Sequence, residues 1–278
     1  MNAHSAAETY FLDFHRRVVS ATSIAFGSIP ASLNGTFYAS SYHALASILP
    51  TEDKAVSVLD IGCGDGHLLG LLSARNHRGL QLFGVDMSDG ELGVARSTLP
   101  AEVSLLKQRA QDLSIATGTV DIVFSHMALM LMDDIEQVLS EIHRILRPSG
   151  TLAFIVGGKG LLEPVKHLYL DELRPILREE EISLRFGDAR TATEEGWRAL
   201  LSSSFSNCKF ADVDLEWTTT PSELWDSFLS TTYDVDALSA GGQMRLRERV
   251  LVALADICDS DGNVRFGNGL RLITAQTT

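Results

Sequence analysis

Cysteine is scarce in this chain: three in 278 residues, Cys63, Cys208 and Cys258, far apart and odd in number. They cannot staple a small disulfide scaffold, and a reducing cytosol suits them better. Basic residues are also short, 23 Lys and Arg against 36 Asp and Glu, leaving a formal net charge of −13. That balance argues against sequence-independent affinity for phosphate backbones, and no compact Lys/Arg run makes a local exception. Neither a nucleic-acid nor a membrane partner is therefore expected. No apolar run approaches the roughly 20 residues that span a bilayer. The start, MNAHSAAETYFLDFHRR, lacks a basic stretch followed by an apolar core, so it does not read as a secretory signal. No H-x-x-x-H or C-x-x-C spacing occurs, so no metal site is expected. Internal repeats and low-complexity segments are missing too. What remains is an ordinary globule, 45% hydrophobic and 21% charged, expected to be cytoplasmic and to form one domain with an elaboration.

The most informative segment is VLDIGCGDG, residues 58–66. It reads as a buried strand, a glycine turn and then an apolar helix, HLLGLLSA. Such a turn brings backbone N–H groups and a helix N-terminus close to a ligand. A dinucleotide site wants G-x-G-x-x-G. Gly62 and Gly64 fit that pattern, but the third position holds His67 and the extra glycine falls at Gly66.

Around this segment the periodicity predicts an α/β alternation. Strands are expected at Val56–Ile61, Leu80–Asp86, Val103–Lys107, Val120–His126 and Thr151–Val156, with helices at Gly66–Ala74, Asp89–Ser97 and Asp133–Leu146. Before them, one helix is expected from Ala6 to about Phe26 and another from Tyr38 to Leu49, then a linker over Thr51–Lys54. After Gly157-Gly158 a helix with Leu162, Val165, Tyr169, Leu173 and Ile176 on one face is expected, kinked or ended by Pro175. Cys208–Thr218 reads as a strand, Asp236–Ile257 as a helix, and Leu270–Thr274 as the end of a last strand.

Asp60-x-Gly62-x-Gly64-x-Gly66 resembles the first motif of class I S-adenosylmethionine-dependent methyltransferases. FGVDMS, QRAQDLS, DIVFSHMALMLM and IEQVLSEIHRILRPSGTLAFIV resemble the following motifs of the small-molecule branch that includes ubiquinone and menaquinone biosynthesis enzymes. The resemblance implies a Rossmann-like fold with a seven-stranded, mostly parallel sheet whose last strand is antiparallel beside the fifth. It divides the chain into an N-terminal helical lid (1–54), a cofactor-binding core (55–157), a helical substrate insertion (158–206) and the C-terminal part of the core (207–278). The implied cofactor is S-adenosylmethionine. Asp60 would offset the charges of its methionine end, and Gly62 and Gly64 would let the backbone approach it. Asp86 would accept both ribose hydroxyls, a task that needs two acceptor oxygens, and Met87 would lie on the adenine. Ala110 and Gln111 occupy the adenine-edge positions. Arg109 stands where relatives often carry Asp, which throws recognition of the adenine amino group onto Gln111 or Asp112. Tyr42 would reach the methionine carboxylate or close over the methyl group, and Ser125 leaves the fourth strand at the cofactor edge.

Catalytic candidates are His126, Tyr38 and His43. His126 is either a hydrogen-bonded structural residue or a base facing the methyl group. Cys63 reads as a small residue filling the turn, and the Met-rich run at 127–132 as core packing. The reaction expected is methylation of a small metabolite, with carbon methylation beside the carbonyl of a 2-oxo acid, such as 5-guanidino-2-oxopentanoate, as the leading case. Arg174, Arg185 or Arg190 would clamp its carboxylate, and Glu163, Asp171, Glu172 and Asp188 would suit a guanidinium tail. An aromatic O- or N-nucleophile bound against Phe14, Tyr38 and Trp197 is the alternative, and a non-catalytic cofactor-binding protein is another. A homodimer formed through the N-terminal helices fits the same resemblance.

Overall fold

Ser5 Oγ accepts from Glu8 N at 3.0 Å while the Glu8 carboxylate accepts from Ser5 N at 3.1 Å, a reciprocal cap that satisfies two donors at a helix start. The computed structural model describes residues 5–52, 54–75 and 77–278; residues 1–4 of the segment weighed as a signal, and Asp53 of the linker, lie outside them. Helix α1 covers Ala6–Arg17. The single helix expected to Phe26 is broken, because Ser20 takes a left-handed conformation (φ 63°) before α2, Ala21–Phe26. The break has a partner: Ser20 N donates to both oxygens of the buried Glu91 carboxylate, at 3.0 and 3.2 Å.

Asn34 and Gly35, with φ of 51° and 78°, make a two-residue hairpin turn between β1 (Ala31–Leu33) and β2 (Thr36–Tyr38). The helix expected from Tyr38 is correspondingly shorter: Tyr38 ends a strand, and α3 is Ser41–Ala46 behind the Ser40 cap.

The α/β alternation then proceeds through β3 (Val56–Ile61), α4 (His67–Ser73), β4 (Leu80–Asp86), α5 (Asp89–Thr98), β5 (Ser104–Lys107), β6 (Val120–His126), α6 (Ile135–Ile145) and β7 (Leu146–Leu161). Two helices follow, α7 (Val165–Glu179) and α8 (Glu194–Leu201), and Pro175 lies inside α7 rather than ending it. The long strand β8 (Phe205–Thr219) leads to α9 (Pro221–Ser227), α10 (Tyr233–Asp236) and α11 (Ala240–Ala255), and β9 (Val264–Thr277) completes the sheet.

Strand order is β2-β1-β8-β9-β7-β6-β3-β4-β5. Strands β3 to β7 are mutually parallel, and β9 runs antiparallel between β7 and β8. The expected seven strands are there with the last antiparallel beside the fifth, but the sheet has nine. The extra two are the 31–38 hairpin, whose β1 pairs antiparallel with β8. Both faces of the central strands are covered, as parallel strands require. Val58 packs into one core with Leu69 and Leu72 of α4, while neighbouring Leu59 joins a second with Val138 and Ile142 of α6. No helix of the described residues is long and apolar enough to cross a membrane.

Candidate active site

The carboxyl ends of β3, β4 and β6 open into one cavity of about 1040 Å³ including its mouth. This is where open α/β sheets bind ligands. The turn after β3 is built by glycines at positive φ, 68° at Gly62 and 53° at Gly64. A Cβ on Gly62 would lie 2.5 Å from Ala128 Cβ, so the turn is pressed against the loop after β6. A Cβ on Gly64 would meet only Glu91 Oε2, at 3.8 Å. That open space beside a bare backbone is a cradle for a ligand.

Acids dominate the wall. Asp60 is 2% exposed, its Oδ1 has no hydrogen-bond partner, and burial, with help from Asp86 and Asp65, pushes its carboxyl well above the usual range. A buried, unpaired acid of this kind is complementary to a cation. Asp86 is held by Gly64 N to Oδ2 at 2.9 Å and Ser88 N to Oδ1 at 2.8 Å. Each of its oxygens keeps a further lone pair, the arrangement a vicinal diol needs. Met87, Ala110 and Gln111 continue the same wall; Gln111 Nε2 donates to Asp133 O at 2.8 Å, and Asp112 does not line the cavity. The residues present fit a sulfonium- and ribose-bearing cofactor.

Helix α1 forms the opposite wall. Arg109 Nε and Nη2 donate to Glu8 Oε1 at 2.9 and 2.5 Å, and His15 Nδ1 lies 2.8 Å from Glu91 Oε1. Tyr10 donates to Asp236 Oδ2 at 3.0 Å, tying α1 to α10. Glu8, His15, Asp65, Glu91 and Tyr233 line the cavity, and the sequence reading named none of them as site residues. For Glu8 a signal existed: Ser5-x-x-Glu8 is a helix-start pattern. Tyr233 comes from the helices between β8 and β9, and no motif marks it.

At the inner end, the His126 ring stacks on Tyr42 with centroids 3.7 Å apart. Its Nε2 lies 2.9 Å from Ser41 Oγ, while Nδ1 has no partner among the described residues. Burial lowers its pKa to about 3, so the ring is neutral. Burial also pushes the phenols of Tyr42 and Tyr233 well up. The Cys63 thiol is likewise raised, by burial first and then by Asp86 and Asp60, in keeping with a small turn-filling residue.

The structure thus brings Tyr42, Asp60, Gly62, Gly64, Asp86, Met87, Ala110, Gln111 and His126 into one cavity. Three named residues stay outside it. Ser125 is fully buried and donates to Ile61 O at 2.8 Å, bonding β6 to β3. His43 Nδ1 is 2.9 Å from Ser40 Oγ, at the start of its own helix. Tyr38 packs against the core from β2, on the hairpin at the far edge of the sheet.

Residues 59–154 match the sequence family described as methyltransferase domain. The core of this chain is an S-adenosylmethionine-dependent methyltransferase domain. Among curated proteins it is similar to the malonyl-(acyl-carrier protein) O-methyltransferase of Methylovorus sp. (strain MP688), 30% identical over 206 residues, covering 70% of this chain and 63% of that protein. The protein of the same name from Methylococcus capsulatus is 33% identical over 124 residues, 44% of this chain and 45% of its own length. The chain thus spans about half the length of these relatives. Among solved structures, Haemonchus contortus phosphoethanolamine N-methyltransferase 2, in complex with phosphomonomethylethanolamine and S-adenosylhomocysteine, aligns with a TM-score of 0.55 at 20% identity, covering 96% of this chain and 59% of that one. The YcgJ protein of Bacillus subtilis aligns with a TM-score of 0.53 at 19% identity, covering 84% and 98%. At such identities these structures speak for the fold alone.

Proposed function

We propose that this chain methylates an oxygen of a carboxylate on a small acyl substrate. The observation that carries the reading is that, of the three residues expected to act as a base, only His126 lines the cavity, buried and stacked on Tyr42. His126 is neutral with a pKa near 3, and the Tyr42 and Tyr233 phenols are held protonated by burial. When bound, the cofactor supplies a methyl group on positively charged sulfur. A carboxylate already carries its negative charge at neutral pH, so attack on that carbon needs no proton removed. What the chain must do is hold acceptor and methyl in line and keep water out. Met127, Leu131 and Met132 form an apolar wall there, and the Tyr42–His126 stack fixes its back. The relatives' named reaction, an O-methylation of a malonyl group, is of this chemical kind.

Carbon methylation of a 2-oxo acid such as 5-guanidino-2-oxopentanoate asks for more, because a C–H proton must leave. Of the residues named for that task, Tyr38 and His43 lie outside the cavity and His126 is a weak base. Of the three expected carboxylate clamps, Arg190 is bound to Asp188 and Glu136, and of the four expected guanidinium partners, Glu163 and Glu172 face His167 and Arg249. Trp197, named for an aromatic acceptor, packs on Phe154 in the second core. The test is to incubate the protein with S-adenosylmethionine and, in parallel, malonyl-coenzyme A, malonate and 5-guanidino-2-oxopentanoate. The expected product is an alkali-labile methyl ester of the malonyl compound, identified by mass. An alkali-stable mass gain on the 2-oxo acid alone would overturn the reading.

A further inference from the structure

Behind the cofactor cavity lies a second chamber of about 1380 Å³ including its mouth. The two share Thr22, Met127, Leu131 and Tyr233, so the chamber adjoins the cavity. Its deep walls are apolar and buried: Phe14 and Ala25 from α1 and α2, Phe26, and Phe228 beyond α9. Lys159 and Lys166 are its only Lys or Arg among the described residues. Lys159 is exposed and paired with Asp212 at 2.8 Å, whereas no ion pair to Lys166 occurs among the described residues.

One residue does not belong to such a wall. Asn268 is 7% exposed and lines the chamber, and its Oδ1 has no hydrogen-bond partner. Alternation along β9 puts it on the same face as Phe266 and Leu270, both core residues. Its neighbours in register are Leu161 on β7 and Leu215 on β8, and neither side chain offers a polar group. A buried amide left unpaired is costly, and native structures keep few of them without a reason. An unpaired amide oxygen on the wall of an apolar chamber is what an N–H link within an otherwise apolar ligand would meet.

We propose that this chamber is the acceptor site and that Asn268 reads the acceptor, its Oδ1 accepting from an amide N–H of an acyl chain whose anionic far end is met by Lys166. The inference rests on the carboxylate-methylation reading for the direction of the substrate, acid end toward the cofactor and tail toward the lysines. Asn268 is then a specificity-determining residue. An acyl chain without a polar link leaves its amide unpaired, and a free short diacid does not reach it.

The experiment uses unreactive ligands, so it does not depend on turnover. Butyryl-N-acetylcysteamine is neutral and carries thioester and amide; butyryl-coenzyme A adds an anionic tail. Each is titrated calorimetrically into the full chain saturated with S-adenosylhomocysteine. Asn268→Leu is expected to weaken both ligands about three- to tenfold, the span of one net hydrogen bond, with S-adenosylhomocysteine affinity unchanged. Lys166→Gln should weaken only the coenzyme A ligand. Wild-type affinity for both ligands in Asn268→Leu overturns the assignment, and so does a wild-type chain that binds neither. Should Asn268→Leu fail to fold, S-butyl thiobutyrate, which keeps the thioester but has no amide N–H, is expected to bind the wild type about three- to tenfold more weakly than butyryl-N-acetylcysteamine, and equal affinity overturns the assignment. If the ligands bind through Asn268 but no methyl ester forms in the turnover assay, the chamber stands and the carboxylate reading falls. Methyl ester formation with no Asn268 dependence gives the reverse.

Discussion

The cofactor cavity and the chamber behind it share a wall at Met127, Leu131 and Tyr233, yet they are built differently. The cavity is lined by acids, among them Asp60, Asp65, Asp86 and Glu91, and an unbroken run of its lining, Asp60 to Asp65, comes from one strand and its glycine turn. The chamber is lined by aromatic and aliphatic side chains drawn from α1, α2, the loop after β6, β7, α7, the segment around Phe186, the helices after β8, and β9. Where backbone geometry binds, a short run of sequence suffices to specify it. Where side chains from distant segments converge, specificity is carried by packing, and single substitutions shift it. Changes in the glycine turn should therefore damage cofactor binding and stability together, while changes in the chamber should alter acceptor choice alone.

The largest expected effect is at Gly62. Valine there would have to hold φ near 68° with a Cβ 2.5 Å from Ala128 Cβ. Left-handed strain for a β-branched residue and overpacking each cost on the order of 1–3 kcal/mol, so Gly62→Val should lose about 3 kcal/mol or more. Urea unfolding measures this, and an unchanged midpoint would show that the turn tolerates a side chain. Next comes Asp86→Ala. Loss of a charged acceptor should weaken S-adenosylmethionine by a factor on the order of ten or more, since such a bond is worth roughly 1.5–3 kcal/mol. Binding of butyryl-N-acetylcysteamine to the chamber should not change, and NAD should give no heat with either protein. A parallel loss of both ligands would mean that the two cavities do not act separately.

The same contrast explains what could be read from the sequence. Val56–Ile61, Leu80–Asp86 and Val120–His126 are read to the residue, because two-sided burial leaves an apolar run between clear breakers. The glycine turn and Asp86 were legible for the same local reason. Tyr38 ends a strand and does not open the expected helix, because Asn34-Gly35 makes a hairpin turn whose short strands carry no alternation long enough to read. Glu91 has no local pattern as a site residue; its role follows from the bend at Ser20, 71 positions away, whose amide it accepts. Asn268 in GNGLRLITAQ is a polar residue in a recognisable strand, and only the chamber gives it meaning.

A pH dependence sharpens the comparison at His126, which lines the cavity and not the chamber. His126 has its pKa lowered by burial to about 3 in the folded chain, against the 6.5 of an exposed histidine. Between those values the unfolded chain binds the extra proton and the folded chain does not, so stability falls as pH drops below 6.5 and is retained above it. The slope from this residue approaches about 1.4 kcal/mol per pH unit, or roughly 1.6 kcal/mol from pH 6.5 to 5. His126→Phe, which keeps an aromatic ring on Tyr42, should lack that part of the slope in urea titrations at the two pH values. Equal slopes would show that the ring is hydrated or already charged in the folded chain, and His126 would then be able to exchange a proton with an acceptor.

The smallest effect concerns the wall that α1 builds over the cofactor cavity. Among the described residues Glu8 completes the cap at Ser5, and its carboxylate receives Arg109, whose side chain is 24% exposed. Glu8→Gln separates them, because glutamine can serve the cap while the charge facing Arg109 is lost. The helix should stay formed, held by Phe14 and the Tyr10–Asp236 bond, with little change in unfolding midpoint. The pair contributes on the order of 1 kcal/mol or less when partly solvated, so release of S-adenosylmethionine should speed up about two- to fivefold. Stopped-flow displacement reads this directly. In the wild type, raising the salt should quicken release toward the variant's rate, since partly exposed charges are screened, and the variant should respond less. Equal release rates at low salt would mean that the cofactor leaves without moving α1, and the cavity would then have to open on its other side, past Gln111 and Asp133.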